Sequence, residues 1–253
     1  MPMTIKRGLI IGVANEFSIA WGCARALHAA GAELAITYQS DKAKTYVQPL
    51  AESVASPIIM PLDVTKPEQQ DDLFHTIATQ WGRVDFVLHA IAFAPKTDLQ
   101  GRVTDCSREG FAMAMDISCH SLIRLAKAAE PLMVDGGSIL TMSYYGSEKV
   151  VSNYNLMGPV KAALEACVRY LAVELGPQQI RVNALSPGPI KTRAASGLAN
   201  FDLLMEQAAS EAPMHQLETI EDVGDAAAFL ISDKAKHITG QVIYVDGGYN
   251  VMG

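Results

Sequence analysis

Short runs of apolar, β-branched residues alternate with longer amphipathic stretches along this chain, and that alternation limits the fold more than any other feature. The first run, Gly8-Leu9-Ile10-Ile11-Gly12-Val13, precedes a helical stretch from Ile19 to Ala30 that Gly31 closes. The order then repeats: Glu33 to Tyr38 before Asp41 to Ala55, and Ile58 to Leu62 before Pro67 to Trp81, with Gly82 as the stop. Val84 to His89 is a fourth run, apolar enough for a strand buried on both faces. Two helical stretches, roughly Arg108 to Met115 and Ser118 to Val134, lead to a strand at Ser138 to Met142. A long helix from about Tyr154 to Leu175, a strand at Arg181 to Leu185, a helix at Ile220 to Ser232 and a strand at Val242 to Val245 complete the series.

Strands joined through helices pair in parallel by right-handed crossovers. The expectation is therefore an α/β fold: one doubly wound, Rossmann-type domain over residues 1–253, with a parallel sheet of about seven strands. No linker, repeat or low-complexity segment divides it. The one long irregular stretch, Ser186 to about Pro213, has a length that loops usually reach for function.

Composition removes several alternatives. With 49% hydrophobic and 19% charged residues in 253, the chain buries enough surface to offset its ordering entropy, which excludes disorder. The apolar stretch Phe86 to Ala94 is interrupted by His89 and falls short of the ~18 residues a membrane span needs. Met1 to Arg7 shows no apolar signal region, so a cytoplasmic protein is expected. An excess of 27 acids over 20 bases, net charge -7, argues against a broad phosphate-binding surface and hence against nucleic acid. Cys23, Cys106, Cys119 and Cys167 form no CxxC pair and read as buried or helix-face residues in a reducing compartment. The six histidines lack an HExxH or other close spacing, so no metal site is expected.

The first strand runs into Gly12-Val13-Ala14-Asn15-Glu16-Phe17-Ser18-Ile19-Ala20. Gly12 suits the turn. Ser18 stands where the helix opens, placed to cap it and to donate to a phosphate at the positive helix end. An ordinary strand-turn-helix connection with a serine cap reads equally well from these residues alone. In dinucleotide folds the residue ending the second strand meets the adenosine ribose. Here that residue is Gln39, which bonds hydroxyls, and no arginine stands beside it for a 2′-phosphate. NADH is favoured, with Lys42 as the residue able to reverse that preference. Asp63, followed by Val64, is positioned either for the adenine amino group or for a simple helix-entry turn before Pro67.

Further motifs follow in a set order: His89-Ala90-Ile91-Ala92-Phe93-Ala94, Ser143-Tyr144, Tyr154-x6-Lys161, Arg181-Val182-Asn183-Ala184, Gly188-Pro189-Ile190-Lys191-Thr192 and Asp246-Gly247-Gly248. With Gly12-x5-Ser18-Ile19-Ala20, they make the chain resemble the short-chain dehydrogenase/reductase family. Within that family it resembles the bacterial NADH-dependent enoyl-acyl-carrier-protein reductases over nearly its whole length. A second tyrosine and lysine, Tyr145 and Lys149, have the general family's Tyr-x3-Lys spacing. They are set aside on position, since Tyr145 is only two residues beyond Ser143 at the mouth of the fifth strand, and because Gly146 disfavours the helix that would put both on one face. Tyr154 and Lys161, seven apart on the expected helix, share one side.

The resemblance implies hydride delivery from NADH to the β-carbon of a trans-2-enoyl thioester. Tyr154 would donate to the thioester oxygen, with a hydroxyl whose pKa a nearby ammonium can lower. Lys161 would hold the nicotinamide ribose, and Tyr144 would line the pocket beside the thioester or simply pack. Gly12, Ser18, Ile19, Gln39, Asp63, Val64, Ile91, Ile190 and Thr192 would complete the cofactor site. A helical lid inserted at about 190–213 would join Phe93, Ala94 and Met157 in an apolar slot for the acyl chain, through Ala194, Leu198 and Phe201. The implied partner is an enoyl group on acyl carrier protein, or on coenzyme A, and the implied assembly a homotetramer. Residues 194–212 carry Asp202, Glu206 and Glu211 and no lysine or arginine, so an acidic carrier would have to lean on Lys191, Arg193 or bases elsewhere.

Overall fold

β1 (Arg7–Ile11), β2 (Glu33–Tyr38), β3 (Ile58–Pro61), β4 (Phe86–His89), β5 (Gly137–Met142), β6 (Ile180–Pro187) and β7 (Val242–Val245) form one parallel sheet in the order β3-β2-β1-β4-β5-β6-β7. The structure is a computed structural model that describes residues 6–193, 195–198 and 200–252. Register is continuous from strand to strand, with Ile10 beside Ile36 on one side and Leu88 on the other. The apolar runs of β4, β5 and β6 are buried along almost their full length, as strands covered by helices on both faces must be.

One helical layer holds α1 (Ile19–Ala29), α2 (Asp41–Ser53) and α9 (Ile220–Ile231), which pack with Ile10, Leu34, Ile36 and Leu88. The opposite layer holds α3 (Pro67–Gln80), α5 (Arg108–Met115), α6 (Ser121–Ala129) and α7 (Met157–Leu175), packed on Leu9, Val87, Ile139 and Val182. A short α4 (Lys96–Leu99), absent from the periodicity, follows Pro95, and α8 (Phe201–Glu211) lies within the expected lid. Among the described residues no helix is long and apolar enough to cross a membrane.

Two helical expectations need correction. The stretch read as one helix from Ser118 to Val134 begins inside a π-helical turn, Asp116–His120, that joins α5 to α6. Its α-helical part ends at Ala129 because Pro131 cannot continue it, and a 3₁₀ turn, Glu130–Leu132, follows. The long helix starts at Met157, so Tyr154 precedes it. Asn153 and Asn155 flank that tyrosine with φ of 65° and 45°, a left-handed conformation that asparagine tolerates and that no α-helix accommodates.

Strand order reverses between β1 and β4, because the chain leaves the sheet edge at β3 and returns to the far side of β1. Ligands of open α/β sheets bind at such a reversal, outside the carboxyl ends of the strands.

Candidate active site

A cavity of about 230 Å³ opens at that reversal. Gly12, Ser18 and Ile19 form its wall below α1, and Ile91, Phe93 and Ala94 its wall after β4. Tyr144, Tyr154, Met157 and Lys161 line the side of β5 and α7, and Ile190, Thr192, Leu198 and Phe201 close it from the lid. Ala194 lies outside the described residues. Gln39, Asp63 and Val64 stand at the carboxyl ends of β2 and β3, away from this cavity wall.

The turn after β1 is shaped for close approach. Gly12 has φ +111°, and a Cβ there would sit 2.1 Å from the carbonyl oxygen of Ala90. Only glycine meets both demands. Ser18 acts differently from expectation. Its side chain makes no capping bond to α1; instead Oγ accepts from the amides of Ala14 at 3.0 Å and Asn15 at 3.1 Å and so fixes the turn. The Trp21 and Gly22 amides reach the Ser18 carbonyl, whereas those of Ile19 and Ala20 have no carbonyl of their own helix to bond, and both residues line the cavity. This positive helix end suits the pyrophosphate of a dinucleotide.

Lys161 is 5% exposed and donates one Nζ hydrogen bond, at 2.7 Å, to the carbonyl of Met142. Burial lowers its pKa to about 8, and the carboxylate of Glu165 opposes that fall. An ammonium has three donors, so this lysine retains capacity for the hydroxyls of a ribose. Tyr144 and Tyr154 lie against each other with ring centroids 4.7 Å apart. The Tyr144 hydroxyl is buried without a hydrogen-bond partner among the described residues. Burial raises the pKa of both tyrosines, and Tyr144 and Glu165 add to the rise at Tyr154. The expectation of a tyrosine acidified by ammonium is thus overturned. A buried phenol near a carboxylate keeps its proton and stays a donor.

Tyr145 and Lys149 stand outside this cavity. A 3₁₀ turn does form over Tyr145–Ser147 despite Gly146, and the Lys149 amide reaches the Tyr145 carbonyl at 3.2 Å. Yet the Tyr145 ring packs on Tyr249, Lys149 is exposed, and neither lines the cavity. Their place outside the cavity accords with the position on which the pair was set aside, although a turn forms where none was expected.

His89 is fully buried between Thr141 Oγ1 at 2.8 Å and Ser121 Oγ at 2.7 Å, and burial lowers its pKa to about 3. It is a neutral tie between β4, β5 and α6. Asp63 accepts from the Thr65 amide at 3.0 Å and hydroxyl at 2.7 Å, which is a helix-entry turn. Gln39 is exposed, as is Lys42 at the start of α2. Asp246 accepts from the Gly248 and Asn250 amides and holds the turn after β7. Lys191, one of the bases considered for docking, is paired with Asp202 at 3.0 Å.

Two groups escaped the sequence reading. Glu165 is 4% exposed and accepts from the hydroxyls of Ser143 and Ser147, the latter at 2.6 Å. Its place one helical turn after Lys161 was the available signal. Glu218 lies under the loop after β6, where a Cβ on Gly188 would come within 2.7 Å of its carboxylate. Burial raises its pKa to about 7. Nothing local in sequence marks it.

A doubly wound sheet whose crevice gathers a buried lysine and two contacting tyrosines defines a nicotinamide-dependent oxidoreductase of the short-chain dehydrogenase/reductase class. Residues 12–250 match the family described as Enoyl-(Acyl carrier protein) reductase, and the chain belongs to that family. It is 50% identical over 248 residues to the enoyl-[acyl-carrier-protein] reductase [NADH] FabI of Rickettsia felis, which spans 98% of this chain and 95% of that protein. The crystal structure of the enoyl-(acyl-carrier-protein) reductase of Anaplasma phagocytophilum in complex with NAD superposes with a TM-score of 0.94, at 51% identity, over 98% of this chain and 95% of that one. The Bacillus cereus enoyl-acyl carrier protein reductase, solved with NADP+ and an indole naphthyridinone, gives a TM-score of 0.96 at 46% identity, over 98% and 97% of the two chains.

Proposed function

We infer that this chain reduces the C2–C3 double bond of a trans-2-enoyl thioester with NADH and releases the saturated acyl thioester, as an enoyl-[acyl-carrier-protein] reductase of fatty acid synthesis. The observation that carries this reading is the meeting of Tyr144, Tyr154 and Lys161 in one cavity with apolar walls. NADH, when bound, supplies a hydride for the β-carbon. Gly12, the turn fixed by Ser18 and the start of α1 would hold its pyrophosphate, with Ile91, Ile190 and Thr192 around the nicotinamide half. Gln39 and the Asp63–Val64 turn would meet the adenosine half.

Tyr154, protonated and desolvated, donates to the thioester oxygen as negative charge gathers there. In a water-poor site such a donor counts for more than it would in solution. Lys161 orients the cofactor ribose and adds positive charge. Tyr144 supplies a second hydroxyl with no competing partner among the described residues. The α-carbon then takes a proton. Phe93, Ala94, Met157, Leu198 and Phe201 would keep water from the acyl chain. Carrier-linked thioester is the preferred donor, coenzyme A thioester the alternative, and a cytoplasmic homotetramer the proposed setting.

The test is loss of reduced-nicotinamide absorbance with a trans-2-enoyl thioester and, in parallel, a 3-oxoacyl thioester, each with NADH and with NADPH. Turnover of the enoyl substrate with NADH is expected. Oxidation with the 3-oxo substrate alone overturns the reading.

A further inference from the structure

Two of the four cysteines stand 48 positions apart in the chain and meet in the fold: Cys119 Sγ and Cys167 Sγ are 3.6 Å apart. We propose that Cys119 and Cys167 form a reversible dithiol/disulfide site, oxidised within the chain by a low-molecular-weight disulfide of the glutathione class.

The two thiols differ in the way such chemistry requires. Cys119 lies on the π-helical turn Asp116–His120 and is 3% exposed, whereas Cys167, on α7, is partly exposed. Cys167 can meet an oxidant from solvent, and Cys119 is placed to resolve the product from inside. Either sulfur can donate across this contact; with Cys119 as donor, the Cys167 thiol is lowered and the Cys119 thiol raised. His120 adds a smaller push on Cys167 in the same direction. A thiolate is the attacking species, so Cys167 attacks first. The other cysteines are poorly suited. Cys23 is fully buried and pushed up to about 12 by that burial, and the Cys106 thiol is raised by burial and by the Asp98 carboxylate.

The exchange balances. Cys167 thiolate attacks one sulfur of glutathione disulfide, forming a protein–glutathione mixed disulfide and expelling one glutathione thiolate. Cys119 gives up its proton, attacks Cys167 Sγ and expels the second glutathione. The protein loses two hydrogens and the glutathione disulfide becomes two thiols. Closing the bond to about 2.05 Å asks for roughly 1.5 Å of approach, within reach of side-chain rotation and a small helix shift. The bond would fasten α7, the helix of Lys161, to the π-helical turn.

Native full-length protein incubated with excess glutathione disulfide, then alkylated and mapped by mass spectrometry, tests this. The expected product is a Cys119–Cys167 cross-linked peptide, with titratable thiols falling from four to two and restored by dithiothreitol. C119S is expected to stop at a glutathione adduct on Cys167, and C167S to form neither species. A stable glutathione adduct on Cys167 of the unmodified sequence would overturn the proposal. So would reaction at Cys106 or Cys23 while Cys119 and Cys167 stay reduced. Because the mapping on the unmodified sequence stands without the variants, poor folding of either serine variant leaves the proposal open to refutation.

Discussion

The hydroxyl of Ser143, at the end of β5, donates to the buried carboxylate of Glu165, one turn beyond Lys161 on α7. Ser147 donates to the same oxygen. The segment between the two serines carries Tyr144, so one carboxylate fastens that tyrosine to the helix of Lys161. The same charge supports the Lys161 ammonium against its burial.

E165Q preserves the shape and removes the charge. Burial already brings Lys161 to about 8, and Glu165 opposes the fall, so its loss lowers Lys161 further. The alkaline limb of kcat/KM should therefore move to lower pH, with KM for NADH rising above that limb. E165A also loses the serine clamp, and kcat/KM should fall about ten-fold more, roughly 1.4 kcal/mol. A limb that stays in place in E165Q would leave Glu165 with a packing role alone.

Tyr154→Phe removes the proposed donor to the thioester oxygen. Loss of one such donor typically lowers kcat by about 10²–10³. The tyrosine is buried against Tyr144, so phenylalanine keeps the ring contact and the fold. Tyr145→Phe leaves the packing on Tyr249 and should turn over at close to the parent rate. Turnover lost only in the Tyr145 variant would reverse the assignment.

The sheet was legible because β4, β5 and β6 are covered on both faces and are mainly apolar, the buried Arg181 and Asn183 of β6 being bonded to the carbonyls of Leu230 and Ile238. The cavity was legible in the same measure, since its walls follow directly after β1, β4, β5 and β6, where a parallel sheet always collects its loops. What could not be read depends on conformation or on distance along the chain. Asn153 and Asn155 do not announce their left-handed conformations, so Tyr154 looked helical. The polarity of the Tyr154 surroundings reversed its pKa direction, and burial is not a property of a tyrosine's neighbours in sequence. Ser18 kept its expected place and changed its partner, because two loop amides lie closer to its hydroxyl than the helix does.

Glu218 predicts how stability varies with pH. Its folded pKa, about 7, lies above the ordinary 4.5, mainly through burial, with Asp246 and Asp222 adding to the rise. The folded protein therefore holds a proton that the unfolded chain releases between those values. Its contribution favours folding below about pH 4.5 and is lost as pH rises through about 7. E218Q should melt higher than the parent at pH 8 and nearly level with it at pH 5. The side chain is partly exposed, so a gain of order 1 kcal/mol, about 3 °C, is expected. Parallel melting curves of the two proteins from pH 5 to 8.5 check this, and equal differences across the range would remove Glu218 as the cause.

The lid makes the docking of an acidic carrier unusual, and its effect on KM is measurable. Asp202, Glu206 and Glu211 are exposed on α8, and Lys191 is paired with Asp202. That pair is about three-quarters exposed on both sides and contributes little to stability, so D202N should shift Tm by no more than about 1 °C. It does remove one repulsive charge and release one attractive one. KM for the carrier-linked enoyl substrate should fall about two- to three-fold, with kcat unchanged, because rim charges act on encounter and leave chemistry alone. In the unmodified enzyme added salt should lower that KM, since screening weakens repulsion as well as attraction. If salt raises it, the carrier meets a basic surface away from α8, and D202N should then leave KM where it was.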